Sequence, residues 1–234
     1  GKGAGSSNTS AAFNTFIGQD AGAANLTGAS NTFVGQGAGD VNIGSENTFI
    51  GKDAGGGNTV GTANTFVGQG AGLTNLSNDN TFIGKDAGGQ NLGGTANTFV
   101  GRSAGAANSN GNNNTFLGFG AGDINTANNN TFLGKDAGGS NITGTANTFV
   151  GQGAGDVNTA DNNTFIGKDA GGANTTGTAN TFIGQGAGDV NTADNNTFLG
   201  KDAGGANTTG SGNTFLGKDA GVVNVSSASN TFVG

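Results

Sequence analysis

The tripeptide Asn-Thr-Phe recurs fourteen times along the 234 residues of this chain, always at a spacing of sixteen or seventeen, as from Asn31 to Asn47 and from Asn47 to Asn64. A repeat this short cannot bury its own apolar residues, so such repeats fold by stacking on their neighbours. The period therefore predicts a solenoid. The repeats begin at Asn14, Asn31, Asn47, Asn64, Asn80, Asn97, Asn114, Asn130, Asn147, Asn163, Asn180, Asn196, Asn213 and Asn230.

Each complete repeat has the same internal order. The tripeptide is followed by Ile, Val or Leu, then Gly, two variable residues, Ala-Gly, two more variable residues and a second asparagine. The spacing between the two asparagines is the same in every repeat, as from Asn47 to Asn58, so the variation in length is confined to the loop that follows the second. Five repeats have Gly two positions after the first glycine and are the shorter by one residue, whereas repeats with Asp or Ser there have the longer length.

For most of the chain the two lengths alternate, as in Asn31, Asn47 and Asn64, which allows either one or two repeats per turn. Alternation fails where repeats of the longer length adjoin, from Asn80 to Asn114 and from Asn196 to Asn230. A turn that needed one repeat of each length would be broken there, so we predict one repeat per turn. At the usual strand spacing, fourteen turns would form a rod about 65 Å long.

Composition excludes several classes of protein. Gly accounts for 51 residues, but collagen needs Gly at every third position and abundant Pro, and Pro is absent. A disordered linker has no physical reason to keep Phe and aliphatic residues in register throughout. A net charge of −7 with only eight Lys and Arg argues against binding to nucleic acid. No apolar run approaches the roughly 20 residues of a membrane span, so we expect none in this segment.

The segment Thr-Phe-Ile is predicted to be a short strand, since it combines β-branched and aromatic residues and ends at Gly. In the repeat that begins at Asn47, alternation places Phe49 on one face and Thr48 and Ile50 on the other, before Gly51. Both faces are thus partly apolar, and one of them must point away from the interior. A long apolar stripe on the outside is expected to be covered, so we predict lateral association of several chains.

The other repeated residues are predicted to be structural. Ala54 and Gly55 fit a second strand or a tight bend, where Ala fills a narrow interior and Gly permits a positive φ. Asn47 and Asn58 are predicted to form two ladders, with each side-chain amide donating to the next carbonyl and with bridge or left-handed backbone tolerated at a corner. The equivalent residues of other repeats are assigned the same roles, for example Asn80, Phe82, Ala87, Asn91, Asn147, Phe149, Ala154 and Asn158.

Little in the sequence supports catalysis. His, Cys and Tyr are absent, and the carboxylates recur along the array instead of converging on one place. The aspartates do not follow the nonapeptide frame of calcium-binding β-rolls, and neutral amides alone bind Ca²⁺ weakly. Pairs such as Lys52 and Asp53 are expected to form a solvated edge. We predict that the chain is not an enzyme and has no catalytic residue, no metal site and no cofactor.

The frame Asn-Thr-Phe-Ile-Gly-x-x-Ala-Gly, as in Asn47 to Gly51 followed by Ala54, resembles the head repeats of trimeric autotransporter adhesins, the YadA-like repeats. It is also similar to repeat arrays of bacterial surface and tail-fibre-like proteins. The resemblance covers essentially the whole chain. It implies a left-handed parallel β-roll with three chains side by side, located on a cell surface or outside the cell, in adhesion or as a spacer.

These observations predict an all-β, parallel β-solenoid in which residues 1–234 form a single array of about fourteen units. We expect both ends to lack a capping unit, as in a fragment of a longer fibre. The favoured function is a structural fibre or stalk whose partners are copies of itself and, in adhesion, a host or matrix surface. One alternative is a self-assembling filament whose subunits join end to end. Another is ice binding by the column of Thr residues, although Phe follows every Thr as a bulky neighbour.

Overall fold

The computed structural model describes all residues from 1 to 234 and contains fourteen three-residue strands and no helix. The chain divides into two compact units, Gly1–Phe116 and Leu117–Gly234. The strands are β1 Thr15–Ile17, β2 Thr32–Val34, β3 Thr48–Ile50, β4 Thr65–Val67, β5 Thr81–Ile83, β6 Thr98–Val100, β7 Thr115–Leu117, β8 Thr131–Leu133, β9 Thr148–Val150, β10 Thr164–Ile166, β11 Thr181–Ile183, β12 Thr197–Leu199, β13 Thr214–Leu216 and β14 Thr231–Val233.

Within each unit the strands pair in parallel and in sequence order, β1 to β6 in the first unit and β8 to β14 in the second. The register is the same throughout: Thr pairs with Thr, Phe with Phe and aliphatic with aliphatic, as in Thr48 with Thr65 and Phe49 with Phe66. Each repeat therefore makes one turn. The predicted parallel β-solenoid with one repeat per turn is confirmed.

Phenylalanine fills the interior of the coil. The strand Phe of every turn from Phe33 to Phe215 is fully buried. Successive rings stack with centroids 4.7–4.9 Å apart, in the first unit from Phe33 to Phe116 and in the second from Phe132 to Phe232. This distance equals the spacing of hydrogen-bonded strands. The same rise per turn therefore allows both ring stacking and backbone hydrogen bonding between successive strands.

The strands of these coils are almost untwisted. Neighbouring strands in ordinary sheets rotate by about 20–25°. Here the planes of successive stacked rings differ by only 3–8° within the runs from Phe33 to Phe116 and from Phe132 to Phe232. The flat geometry keeps equivalent residues of successive turns in straight columns, and we use the word column in this sense below.

The Ala-Gly step is a tight bend, not a second strand. Ala54 is fully buried beneath the rings. Gly55 has φ 57°, and a Cβ added to it would lie 2.5 Å from the ring of Phe49. The interior is therefore too narrow for any side chain at this glycine, which explains why every complete repeat has Ala-Gly here.

Left-handed backbone occurs at a different place from the one predicted. Neither ladder asparagine has a positive φ, so the left-handed alternative predicted for them is wrong. The residue immediately before each first asparagine takes this conformation instead, for example Glu46 at φ 62° and Ala63 at φ 54°. The chain reverses here to enter the next strand. Because several residue types occupy this corner, the sequence pattern alone did not indicate it.

A substitution at Ala63 tests how much the positive φ at this corner costs a residue that has a Cβ. Replacing Ala63 with Gly should raise the free energy of unfolding by about 0.5–1 kcal/mol, because Gly takes a positive φ without the strain of a Cβ. Ala54→Gly is the matched control, since Ala54 is buried outside the left-handed region, and it should destabilise the chain. Urea titrations of both variants measure the effect. An unchanged or lower midpoint for Ala63→Gly would contradict the account.

Candidate functional surface

The first asparagine of each repeat connects successive turns through the main chain. Oδ1 of Asn47 accepts the backbone N–H of Asn64 at 3.0 Å, and its Nδ2 donates to the carbonyl of Gly61 at 2.8 Å. The same pattern recurs along both units, and these side chains are almost fully buried. This ladder differs from the predicted amide-to-amide ladder, because its main partners are backbone groups that the turn leaves unpaired.

The second asparagine does form amide-to-amide bonds. Nδ2 of Asn58 donates to Oδ1 of Asn42 in the preceding turn at 3.0 Å, and Asn174 donates to Asn158 at 2.8 Å. These side chains are also fully buried. Oδ1 of Asn91 is the one buried side-chain polar atom without a partner. It lies where two repeats of the longer length adjoin, and such an orphaned acceptor costs about 1–3 kcal/mol.

The residues predicted to be structural are nearly all enclosed by the coil. In the repeat that begins at Asn47, only Thr48 and Ile50 of the predicted set reach the outer surface of the strand, and Ile50 is 40% exposed. The equivalents Asn80, Phe82, Ala87, Asn91, Asn147, Phe149, Ala154 and Asn158 are all buried.

The outward side of the strands, formed by the strand Thr and the strand Ile, Val or Leu, is the most uniform surface of each unit, and we call it the strand face. Its aliphatic residues are half-exposed or exposed in every turn, for example Ile83 at 40% and Leu199 at 42%. No strand contains a charged residue. The strand face is therefore flat, regular, uncharged and partly apolar.

The hydroxyl groups of the strand Thr residues have no hydrogen-bond partner in the protein. Other threonines differ: in the second unit Oγ1 of Thr143 donates to the carbonyl of Thr159, and Oγ1 of Thr176 to that of Thr192. Those hydroxyls link successive turns at a corner. The hydroxyls of the strand face remain available to water or to another molecule.

Aspartate side chains lie over glycines of the preceding turn. A Cβ added to Gly37 would lie 2.6 Å from Oδ1 of Asp53, and one added to Gly153 would lie 2.6 Å from Oδ1 of Asp169. A side chain larger than hydrogen would collide with the carboxylate. The alternation of Gly and Asp in the sequence thus avoids a close contact between neighbouring turns, and only where two long turns adjoin does Asp202 take the place of Gly before Asp219. The paired lysines are exposed and contact these carboxylates, as Lys52 does Asp53 at 2.7 Å.

In the second unit, aspartates of successive turns form an acidic column. Burial raises the pKa of Asp156, and the charges of Asp136 and Asp169 in the adjacent turns raise it further, against a smaller opposing effect of Lys135. Burial and neighbouring aspartates likewise raise the pKa of Asp189. Unlike the columns of equivalent residues, this acidic column alternates between two positions of the repeat; it consists of Asp123, Asp136, Asp156, Asp169, Asp189 and Asp202.

The acidic column makes stability depend on pH. Because folding raises the pKa of Asp156, the folded state binds the proton more tightly, so its carboxylate opposes folding at neutral pH and this penalty disappears as pH falls. Asp156→Asn should raise Tm at neutral pH by roughly 1–2 °C, as expected for a screened contact worth a few tenths of a kcal/mol. The gain should vanish near pH 4 and shrink at high salt.

Asp86→Asn is the matched control, because the adjacent turns have Leu73 and Ala106 where the acidic column would have aspartate. Its Tm should not rise at neutral pH. Thermal unfolding followed by circular dichroism across this pH range measures both variants. A Tm for Asp156→Asn at or below that of the original chain at neutral pH would contradict the predicted repulsion.

One aromatic residue interrupts the repeated surface of the second unit. Phe119 replaces the usual Lys or Gln after the strand glycine and is 45% exposed. Nζ of Lys135 lies 5.7 Å from the centroid of its ring, within the range of a cation–π contact. The sequence shows Phe119 as an exception to the repeat, but nothing in the pattern indicated this contact.

No match to the chain is found among protein-family models, curated proteins or solved structures. No group of three or more acidic side chains is arranged to hold a metal ion. The chain contains no helix that could span a membrane. Function must therefore be inferred from the surface of the coil.

Proposed function

We propose that this chain is a structural component of an extracellular fibre or cell-surface stalk, built from laterally associated copies and used as a spacer or in adhesion. The observation that carries the proposal is the strand face. It repeats the same half-exposed aliphatic residue in every turn and has no charge to oppose contact. A continuous exposed apolar surface of this kind is typical of an interaction site.

A second copy of the chain fits this surface well. The columns of the strand face repeat once per turn, and the rings of successive turns lie 4.7–4.9 Å apart within each unit. Another coil has the same rise, so its side chains can meet those of the first in every turn, whereas a globular partner has no such period. The resemblance to YadA-like head repeats favours three chains and a left-handed coil, and both are part of the proposal.

Introducing charged residues on the strand face tests whether this face mediates the lateral association. Replacing Ile166 and Leu199 with Asp should convert the assembly to single chains, since buried carboxylates would lie unpaired at the contact. The matched control replaces Ile142 and Val157 with Asp, which are exposed aliphatic residues of the same unit outside the strands. This control should assemble like the original chain.

Sedimentation velocity measures the mass, and circular dichroism confirms that each variant is folded. If the original chain sediments as single chains at every concentration, the proposal is wrong. If the strand-face variant still forms long polymers, the alternative of subunits joined end to end is favoured instead.

A second candidate function, ice binding, is favoured by one observation. Phe was expected to be a bulky neighbour of each strand Thr, but it points into the coil and is fully buried. The strand face therefore presents straight columns of free Thr hydroxyls beside aliphatic groups on a flat surface. Such an array can hold water in the regular pattern of an ice surface.

Thermal hysteresis of a dilute solution tests this candidate. The original chain should depress freezing below melting, and replacing Thr148 and Thr181 with Lys should abolish the effect. Replacing Thr143 and Thr176 with Lys is the control, since both lie outside the strands and their hydroxyls bond to carbonyls. Absence of hysteresis in the original chain would exclude ice binding.

A further inference from the structure

Most contacts between successive turns are the same at every boundary. The Phe rings are evenly spaced, and the ladder of first asparagines bonds each turn to the next, at 3.0 Å from Asn64 to Asn47 and at 2.8 Å from Asn163 to Asn147. These contacts give no reason for one boundary to differ from another. The ladder of second asparagines behaves differently.

In the turns of the shorter repeat length, which we call short turns, the second asparagine accepts two bonds from the following turn. Oδ1 of Asn42 accepts from Nδ2 of Asn58 at 3.0 Å and from Nδ2 of Asn47 at 3.3 Å. In the second unit Oδ1 of Asn158 accepts from Asn174 at 2.8 Å and from Asn163 at 3.2 Å. Two hydrogen bonds from the following turn are likewise accepted by Oδ1 of Asn75, Asn125 and Asn191.

We call the turns of the longer repeat length long turns. In each long turn that precedes a short turn, the corresponding oxygen is used within the turn itself. Oδ1 of Asn58 accepts the backbone N–H of Gly61 at 3.0 Å, and Oδ1 of Asn174 accepts that of Gly177 at 3.1 Å. The short turn that follows adds little: Asn75 approaches Oδ1 of Asn58 only to 3.5 Å.

The amide groups of the short turns are likewise used locally. Nδ2 of Asn158 donates to the carbonyl of Ala160, and Nδ2 of Asn191 donates to that of Ala193, each at 2.7 Å. Neither amide reaches the preceding long turn. The ladder of second asparagines is therefore interrupted at the boundary between a long turn and the short turn after it.

We propose that the unit in which this coil yields is a pair of turns, one short turn followed by one long turn, instead of a single repeat. The two turns of a pair share two buried side-chain bonds that the boundary between pairs lacks. That boundary has other bonds at an exposed corner, where Oδ1 of Asp194 accepts from the backbone N–H and the hydroxyl of Thr178. Water can replace bonds at an exposed site, so they hold the boundary less strongly than buried ones. Buried hydrogen bonds of this kind are costly to leave unmade, so a boundary between pairs opens before a boundary within a pair.

This inference rests on the proposed function only for its biological role: a fibre under tension would lengthen by opening one pair of turns at a time. The pairs are independent of lateral association, and a single chain is enough to test them. Five pairs are present, beginning at Asn31, Asn64, Asn114, Asn147 and Asn180.

Single-molecule force spectroscopy of the full chain, held at its two ends, gives the step size directly. Extended chain spans up to about 3.5 Å per residue, so a pair should release roughly 110 Å and a single turn roughly 55 Å. We expect the larger step to recur. A record made only of single-turn steps, or one all-or-none rupture, would overturn the proposal.

Two variants of the pair that begins at Asn147 sharpen the test. Asn174→Ala removes a bond between the two turns of this pair, so one large step should divide into two single-turn steps. Thr178→Val is the control, because it removes a bond that crosses the boundary between this pair and the next, and it should lower the force while keeping the large step. A divided step in both variants, or in neither, would also overturn the proposal.

These outcomes differ from those that test lateral association. Single tethered chains can yield in pairs whether or not the chains assemble in solution. Loss of assembly in sedimentation would count against the fibre and leave the pair of turns unaffected.

Discussion

A single inward-facing phenylalanine in each turn is the constraint on which the coil depends. A coil with so short a turn has room for one ring, and the rings stack at the rise that parallel strands require for hydrogen bonding. The ring occupies the place where a Cβ of the bend glycine would lie, as Phe49 does for Gly55. The strand, the bend and the rise of the coil are thus all set by the same side chain.

Polar groups complete an interior that has little apolar volume. Two buried asparagines per turn satisfy the backbone groups that a three-residue strand leaves unpaired, and they do so with few exceptions. Burying an amide is favourable only when its bonds are made. The register of the coil is consequently specified twice, once by ring stacking and once by hydrogen bonds, and a shift of one residue would break both.

The period of the sequence was enough to predict the parallel solenoid, the single repeat per turn and the placement of Phe49 on the face opposite Thr48 and Ile50. That placement follows from alternation along a strand, which is local. Which of the two faces lies inside was left open, because it depends on how the chain coils. The left-handed corner at Ala63 and the partners of Asn47 could not be predicted, because they depend on how one turn meets the next. The contact of Asp53 with Gly37 was visible only as an unexplained alternation, since residues one repeat apart become neighbours only after coiling.

The placement of aspartate over glycine restricts how such an array can change its copy number. Duplication of a whole short-and-long pair preserves every such contact, whereas gain or loss of one repeat brings two like residues together. Asp202 and Asp219 stand in this relation in adjoining long turns, and the charge of Asp219 also acts on Lys201. Gene-level expansion and contraction of this array should therefore add or remove whole pairs of repeats more often than single repeats. The junctions where two long repeats adjoin would then be sites at which a single repeat was gained or lost.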